Sequence, residues 1–227
     1  MNRKQAVRIS IDILMTLAML LLMAYELIGQ AAHEWIGVGV FVLFITHHIL
    51  NNKWCRNILK GRYTPYRVLQ TVLVIAILVL MLIQMISGIT LSRHIFTFLF
   101  FRGLSYLARS LHMLGAYWSF VLMSLHLGIH WNMMMAAARK AAGNPSKGRT
   151  IWLRAAGIAV AGWGVFAFIK RQVGEYLMSR IQFAFFDFEE PVLFFLLDYL
   201  AVMGLFVWIG HYLAVGLRKI SQTKTQK

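Results

Sequence analysis

The chain has 227 residues, of which 59% are hydrophobic, with a mean hydropathy of +0.66 and a formal charge of +15. Such a composition is too apolar for a soluble domain. The basic residues sit between apolar runs, so they report membrane topology before any nucleic-acid partner, and none is expected. Cys55 is the sole cysteine, which excludes an intrachain disulfide and, with no Cys-x-x-Cys-His, covalent haem attachment of the c type.

In chain order, six runs long enough to span a bilayer are read at about residues 9–29, 33–50, 68–91, 107–131, 151–169 and 192–216. The expected fold class is therefore all-α, a polytopic membrane bundle of six transmembrane helices. The first run is too long for a signal-peptide core and is read as a retained anchor. Only Gln30, Ala31 and Ala32 separate the first two runs, which predicts a tight antiparallel hairpin. Gly61 and Pro65 punctuate the second connection, and Gly143-Asn144-Pro145 the fourth.

The second run carries His33 and His47, and the fourth carries His112 and His126, each pair 14 residues apart. Fourteen helical steps fall about 40° short of four turns, so both imidazoles of a pair leave one face about 21 Å apart along the axis. Overlaying the two runs aligns both pairs and also Phe41-Val42-Leu43 with Phe120-Val121-Leu122. Separated by one crossing, the two helices run parallel. His33 then faces His112 at one membrane level and His47 faces His126 at the other. Two stacked haem b groups, each held by two neutral imidazoles, fit that pattern. His48 competes with His47 for the inner iron. His130, one turn beyond His126, reads as a structural residue near the cytoplasmic interface, with ligation as the alternative, while His94 and His211 have no partner by spacing and read as interfacial or supporting residues.

The faces bearing these histidines also carry small side chains, Gly37 and Val40 beside His33 and Ala116 and Ser119 beside His112, with Phe44 and Met123 between the two levels. Arg93 and Arg109 outside, and Lys53, Arg56 or Arg139 inside, are placed for haem propionates. Of the 23 Lys and Arg residues, 17 fall on the side of both termini, so the termini are expected to be cytoplasmic. Two aromatic segments, residues 93–106 and 173–190, lie on the other side. Each is either interfacial packing or a cover and docking patch for the outer haem. Asp198, inside the last run, is a costly residue for which bundle hydrogen bonding, proton transfer and a quinone pocket are all open.

The stretches HEWIGVGVFVLFITHHILNNKW and RSLHMLGAYWSFVLMSLHLGIHW together resemble the flavinylation-associated cytochrome family, small b-type cytochromes of the bacterial cytoplasmic membrane. The resemblance covers the first four runs. It implies a four-helix haem core like that of ferric reductases, placed here in residues 1–135, with residues 136–227 adding two helices. It also implies His33, His47, His112 and His126 as axial ligands and an extracytoplasmic flavin-bearing protein as partner.

The expected function is transmembrane electron transfer from a cytoplasmic or quinol donor to that flavoprotein, as a component of an oxidoreductase system without a catalytic domain of its own. No Gly-rich nucleotide-binding fingerprint occurs. The alternatives are a cytochrome b subunit of a quinol-coupled dehydrogenase or reductase, and a haem-free transporter or assembly scaffold.

Overall fold

The computed structural model describes residues 3–99, 104–143 and 146–223. Arg102, Lys224 and Lys227, three of the 23 basic residues used to orient the chain, and the Asn144-Pro145 step lie outside those residues. The described residues form nine helices: α1 (Arg3–Met23), α2 (Tyr25–Ile28), α3 (Gln30–Leu50), α4 (Asn52–Arg56), α5 (Pro65–Leu91), α6 (Ser105–Ala142), α7 (Lys147–Lys170), α8 (Val173–Leu177) and α9 (Val192–Thr223). No strand occurs among the described residues. Six helices, α1, α3, α5, α6, α7 and α9, are long and apolar enough to cross a membrane. No more than 33% of any spanning window is buried within the chain. The remaining apolar surface, including Leu14, Val42, Val72, Ile86 and Leu193, calls for a lipid environment. The chain is an all-α, multi-pass membrane protein.

Helix ends follow local chemistry. The first hairpin turns at Gly29, whose φ of +83° belongs to the left-handed region that glycine enters without a Cβ penalty. Gln30 to Ala32, read from sequence as the linker, are instead the first turn of α3. Gly61 and Gly143 also take positive φ, +84° and +74°, after α4 and α6. Helix α7 starts at Ser146, whose side chain accepts from the Arg149 backbone N–H, a standard N-cap. Helix α6 continues past residue 131 through MMMAAARKAA, a run of strong helix formers ending in cations that favour the C-terminal end of the helix dipole.

Two compact units share these helices. The first comprises Met1–Gly61, Leu78–Ser119 and Gln172–Leu197, and the second Arg62–Ile77, Phe120–Arg171 and Asp198–Lys227.

In the first unit α1 packs antiparallel on α3. Arg8, near the start of α1, bonds the Leu50 carbonyl at the end of α3. At the other end of the hairpin, the Tyr25 ring meets His33 edge-on at 5.0 Å. The end of α5 and the start of α6 meet through Ser87 and His112. Glu34 of α3 fixes the segment after α5. Its carboxylate accepts from the Ser92 hydroxyl at 2.7 Å and from the backbone N–H groups of Arg93, His94 and Ile95 at 2.9, 3.0 and 3.1 Å. These four donors stop α5 and anchor the next segment, while the Gln30 side-chain amide gives the same carboxylate a fifth bond at 3.3 Å from within α3.

In the second unit, close approach replaces side-chain bulk. A Cβ on Gly128 of α6 would come within 2.3 Å of the Val207 carbonyl oxygen, and one on Gly164 of α7 within 2.3 Å of that of Ala201, both on α9. Glycine at such crossings lets helix backbones touch, which is how helices gain contact energy where lipid gives no hydrophobic drive. As α7 advances from Gly157 through Gly164 to Arg171, its partners on α9 retreat from Trp208 through Ala201 to Asp198, so α7 and α9 are antiparallel.

Candidate functional site

Within the first unit the structure brings His33 and His112 together, their ring centroids 6.0 Å apart. His33 sits in the first turn of α3 and His112 in the second turn of α6, so these helices present equivalent ends to one another. An iron held at about 2 Å by each of two imidazole nitrogens separates the ring centroids by about 6 Å once half a ring is added on each side. The rings are inclined at 67°. A metal–imidazole bond lies in the plane of its own ring, so two rings can share one metal at any rotation about the bond axis, and an interplanar angle of 67° does not by itself oppose joint ligation.

The hydrogen bonds around His112 fix its tautomer. Its Nδ1 lies 3.0 Å from the Ser87 hydroxyl. Ser87 has one hydroxyl hydrogen, and the shortest of its contacts, 2.6 Å, gives it to the Ile83 carbonyl. The hydroxyl must therefore accept from His112, so Nδ1 carries the proton and Nε2 keeps the lone pair that a metal needs. His33 Nδ1 is buried without a hydrogen-bond partner. The Gln84 Oε1 and Ser119 Oγ atoms of the same unit are also buried and unpartnered. Buried polar atoms seldom stay orphaned in a finished site. A Cβ on Gly37, one turn from His33, would meet nothing within 4 Å, so the His33 face has space beside it. Donor spacing, tautomer, orphaned polar atoms and open space all fit a planar bis-imidazole group such as haem.

Of the other residues expected on these faces, Ser119 and Phe44 are buried, whereas Ala116 and Met123 are half-buried. Arg93 and Arg109 are exposed. Both act on Tyr25: burial pushes its hydroxyl up from the ordinary value, Glu26 adds to this, and the two guanidinium groups oppose it. Since the Tyr25 ring touches His33, both cations stand at the end of the bundle where propionates of a group on His33 would emerge. Arg109 also lies over the Phe183 ring, 5.8 Å from its centroid.

His47 and His126 belong to different packing units, and each has its own surroundings. His47 Nδ1 lies 2.8 Å from Asp12 Oδ1, a carboxylate–imidazole pair linking α3 to α1. His48 Nδ1 lies 2.9 Å from the Phe44 carbonyl. Carboxylate and carbonyl oxygens only accept, so both rings carry a hydrogen on Nδ1, which leaves Nε2 as the nitrogen that would face a metal. In the second unit His126 meets the His130 ring at 4.8 Å, and His130 Nε2 lies 3.3 Å from the Gln70 side chain. Asp198 is buried and accepts from Lys170 Nζ at 2.8 Å, Arg171 Nε at 2.9 Å and the Trp163 indole N–H at 3.3 Å. That is the bundle-bonded arrangement among the three weighed for it.

The segment after α8 is organised by one tyrosine. Tyr176 stacks on Tyr117 at 4.2 Å, donates its hydroxyl hydrogen to the Phe183 carbonyl and accepts from the Phe185 N–H. Phe183, Phe185 and Phe188 are left exposed, while Phe186 packs against Phe195. Of the first aromatic segment, residues 100–103 lie outside those described.

Sequence reasoning missed Ser87, Asp12 as a partner of His47, and Glu34. Asp12 announced itself only as a carboxylate inside a span, where it needs a partner. Among the described residues no group of three or more His, Cys, Asp or Glu converges to hold a metal ion. No family model, curated protein or solved structure matches the chain.

Proposed function

We propose that the chain is a transmembrane electron carrier of the b-cytochrome type that holds two haems and connects a cytoplasmic or quinol donor to a flavoprotein on the side of the membrane opposite its termini. The observation that carries this reading is the His33–His112 pair, at the separation a shared iron requires and with the tautomer of His112 set by Ser87. When bound, haem supplies a one-electron couple between ferrous and ferric iron.

The residues do the rest. His33 and His112 hold the outer group, and Ser87 keeps Nε2 of His112 available. The fourteen-residue repeat in the sequence assigns His47, with His48 as its competitor, and His126 to the inner one, and Asp12 orients His47. Gly37 leaves room beside the outer group, and Arg93 and Arg109 balance its carboxylates. Glu34 fixes the segment bearing Arg93 and so keeps that cation at the His33 end. The exposed phenylalanines at 183, 185 and 188, together with residues 93–99 and 104–106, offer the face where the flavoprotein docks. Placement of the termini on the cytoplasmic face rests on the distribution of basic residues. The resemblance to flavinylation-associated cytochromes supports the identity of the acceptor.

Reconstitution tests the reading. Vesicles carrying the haem-loaded protein, with an impermeant reductant trapped inside and an impermeant one-electron acceptor outside, are expected to reduce the acceptor at least tenfold faster than protein-free vesicles. A haem-loaded preparation no faster than the protein-free control would rule out electron transfer across the bilayer.

A further inference from the structure

We propose that Gln84 and Ser119 bind one internal water molecule between α5 and α6, and that this water is a second polar tie between the two helices beside the Ser87–His112 bond. The proposal goes beyond the electron-transfer reading and needs no haem.

It starts from two buried groups. Gln84 Oε1 and Ser119 Oγ are shut off from solvent and have no hydrogen-bond partner, and Ser119 as a residue is 6% exposed. A serine within a helix has a ready acceptor in the carbonyl four residues back, and Ser87, Ser124 and Ser221 all donate to theirs. Ser119 does not, so its hydroxyl is committed to nothing in its own helix. Buried hydroxyls and amides left in that state are costly, and proteins complete them with ordered water where protein groups do not.

Both groups lie on the seam of α5 and α6 within the first unit. A Cβ on Gly115 would stand 3.3 Å from Gln84 Oε1, and one on Gly88 would stand 3.5 Å from His112 Cε1. The two helices therefore run antiparallel, with Gln84 opposite Gly115 and Gly88 opposite His112. Ser119 is one turn beyond Gly115 on the same face, where Cβ positions are about 5–6 Å apart. A step of that order is too long for one hydrogen bond and matches two of about 2.8 Å joined through a single oxygen.

The chemistry of the guest follows from its hosts. Gln84 and Ser119 are neutral, so a buried ion would lie uncompensated between them, and an apolar guest would leave both unbonded. A molecule that both donates and accepts serves the amide whichever way it is turned and the hydroxyl in either role. Water does this within a gap of one oxygen. A haem on His33 and His112 does not supply the missing bonds, because its carboxylates are balanced by Arg93 and Arg109 at the opposite end of the pair. Helix α5 runs from Gln84 through Ser87 toward Arg93, and α6 runs from His112 away from that end to Ser119. The water thus holds α5 and α6 in register one turn from Ser87, and keeps that hydroxyl opposite His112.

The test is a structure of the full chain at a resolution that shows ordered water, with thermal unfolding in detergent as an independent check. One isolated density peak within hydrogen-bond reach of both Gln84 Oε1 and Ser119 Oγ is expected. A direct bond between the two side chains, no density between them, or the elongated density of an acyl chain would overturn the proposal. In the unfolding assay Ser119→Ala is expected to lower the midpoint temperature of the intact chain but to change it little once Gln84→Leu has removed the other host, because a shared guest makes the two substitutions non-additive. Two shifts that add would overturn it as well. Neither readout depends on haem content, so failure here and failure of the dihaem reading are distinguishable.

Discussion

Replacing His112 by Ala is expected to leave one haem per chain in place of the two proposed for the intact protein. On the proposed reading this imidazole supplies half of the ligation at the His33 level, its ring centroid lying 6.0 Å from that of His33. His33→Ala is expected to have the same effect, whereas Ser87→Ala, which frees the tautomer but keeps the ligand, should retain both haems with altered properties at the outer one. The inner level offers a sharper contrast. His47→Ala is expected to remove the inner haem and His48→Ala to retain both, because His47 keeps the 14-residue repeat and has the Asp12 anchor, whereas His48 turns its Nδ1 to its own helix. Pyridine haemochrome quantitation per chain reads all of these variants. Retention of two haems in His112→Ala would remove it as a ligand.

The second large effect is on stability. Asp198 is 4% exposed and faces Lys170 and Arg171, whose side chains are 43% and 13% exposed. Asp198→Ala takes from both cations the carboxylate that faces them, and breaking a buried pair in this way costs roughly 3 kcal/mol. The partial exposure of Lys170 keeps the figure at the low end of the usual range. Asp198→Asn, which still accepts from Trp163, should lose less. Thermal unfolding in detergent is the readout: a clear drop for Asp198→Ala is expected, and an unchanged transition would show that water or lipid headgroups already compensate the two cations.

The spans are legible because length and hydropathy alone decide what crosses a bilayer, and all six are present. Boundaries are less so. Residues 30–32 lie between two apolar runs and so read as the first turn, but a linker that short closes at the one residue able to take positive φ, Gly29, and the polar residues after it begin α3. Helix α6 outruns its apolar stretch because helix propensity, unlike membrane burial, does not end where hydrophobicity does.

The candidate site is legible through one pair of histidines and opaque in their supports. His33 and His112 can be paired from a repeat, since matching spacing on two helices is visible in a linear string. Ser87 has no such signature: its value comes from standing on α5 where α6 passes. Asp12 and Glu34 are visible as carboxylates that need partners, but only packing chooses which imidazole or which backbone segment satisfies them. Asp198 shows the same limit, because Lys170 and Arg171 read as topology signals in the sequence and turn out to be its ion-pair partners.

Haem content of the purified, folded chain tests the central claim most directly. Two non-covalently bound haems per chain, extractable with acidified organic solvent and giving a b-type reduced spectrum, is the expected result. A colourless, folded and monodisperse protein that also takes up no added haem would contradict it, and would leave the His33–His112 pair as part of a haem-free transporter or scaffold.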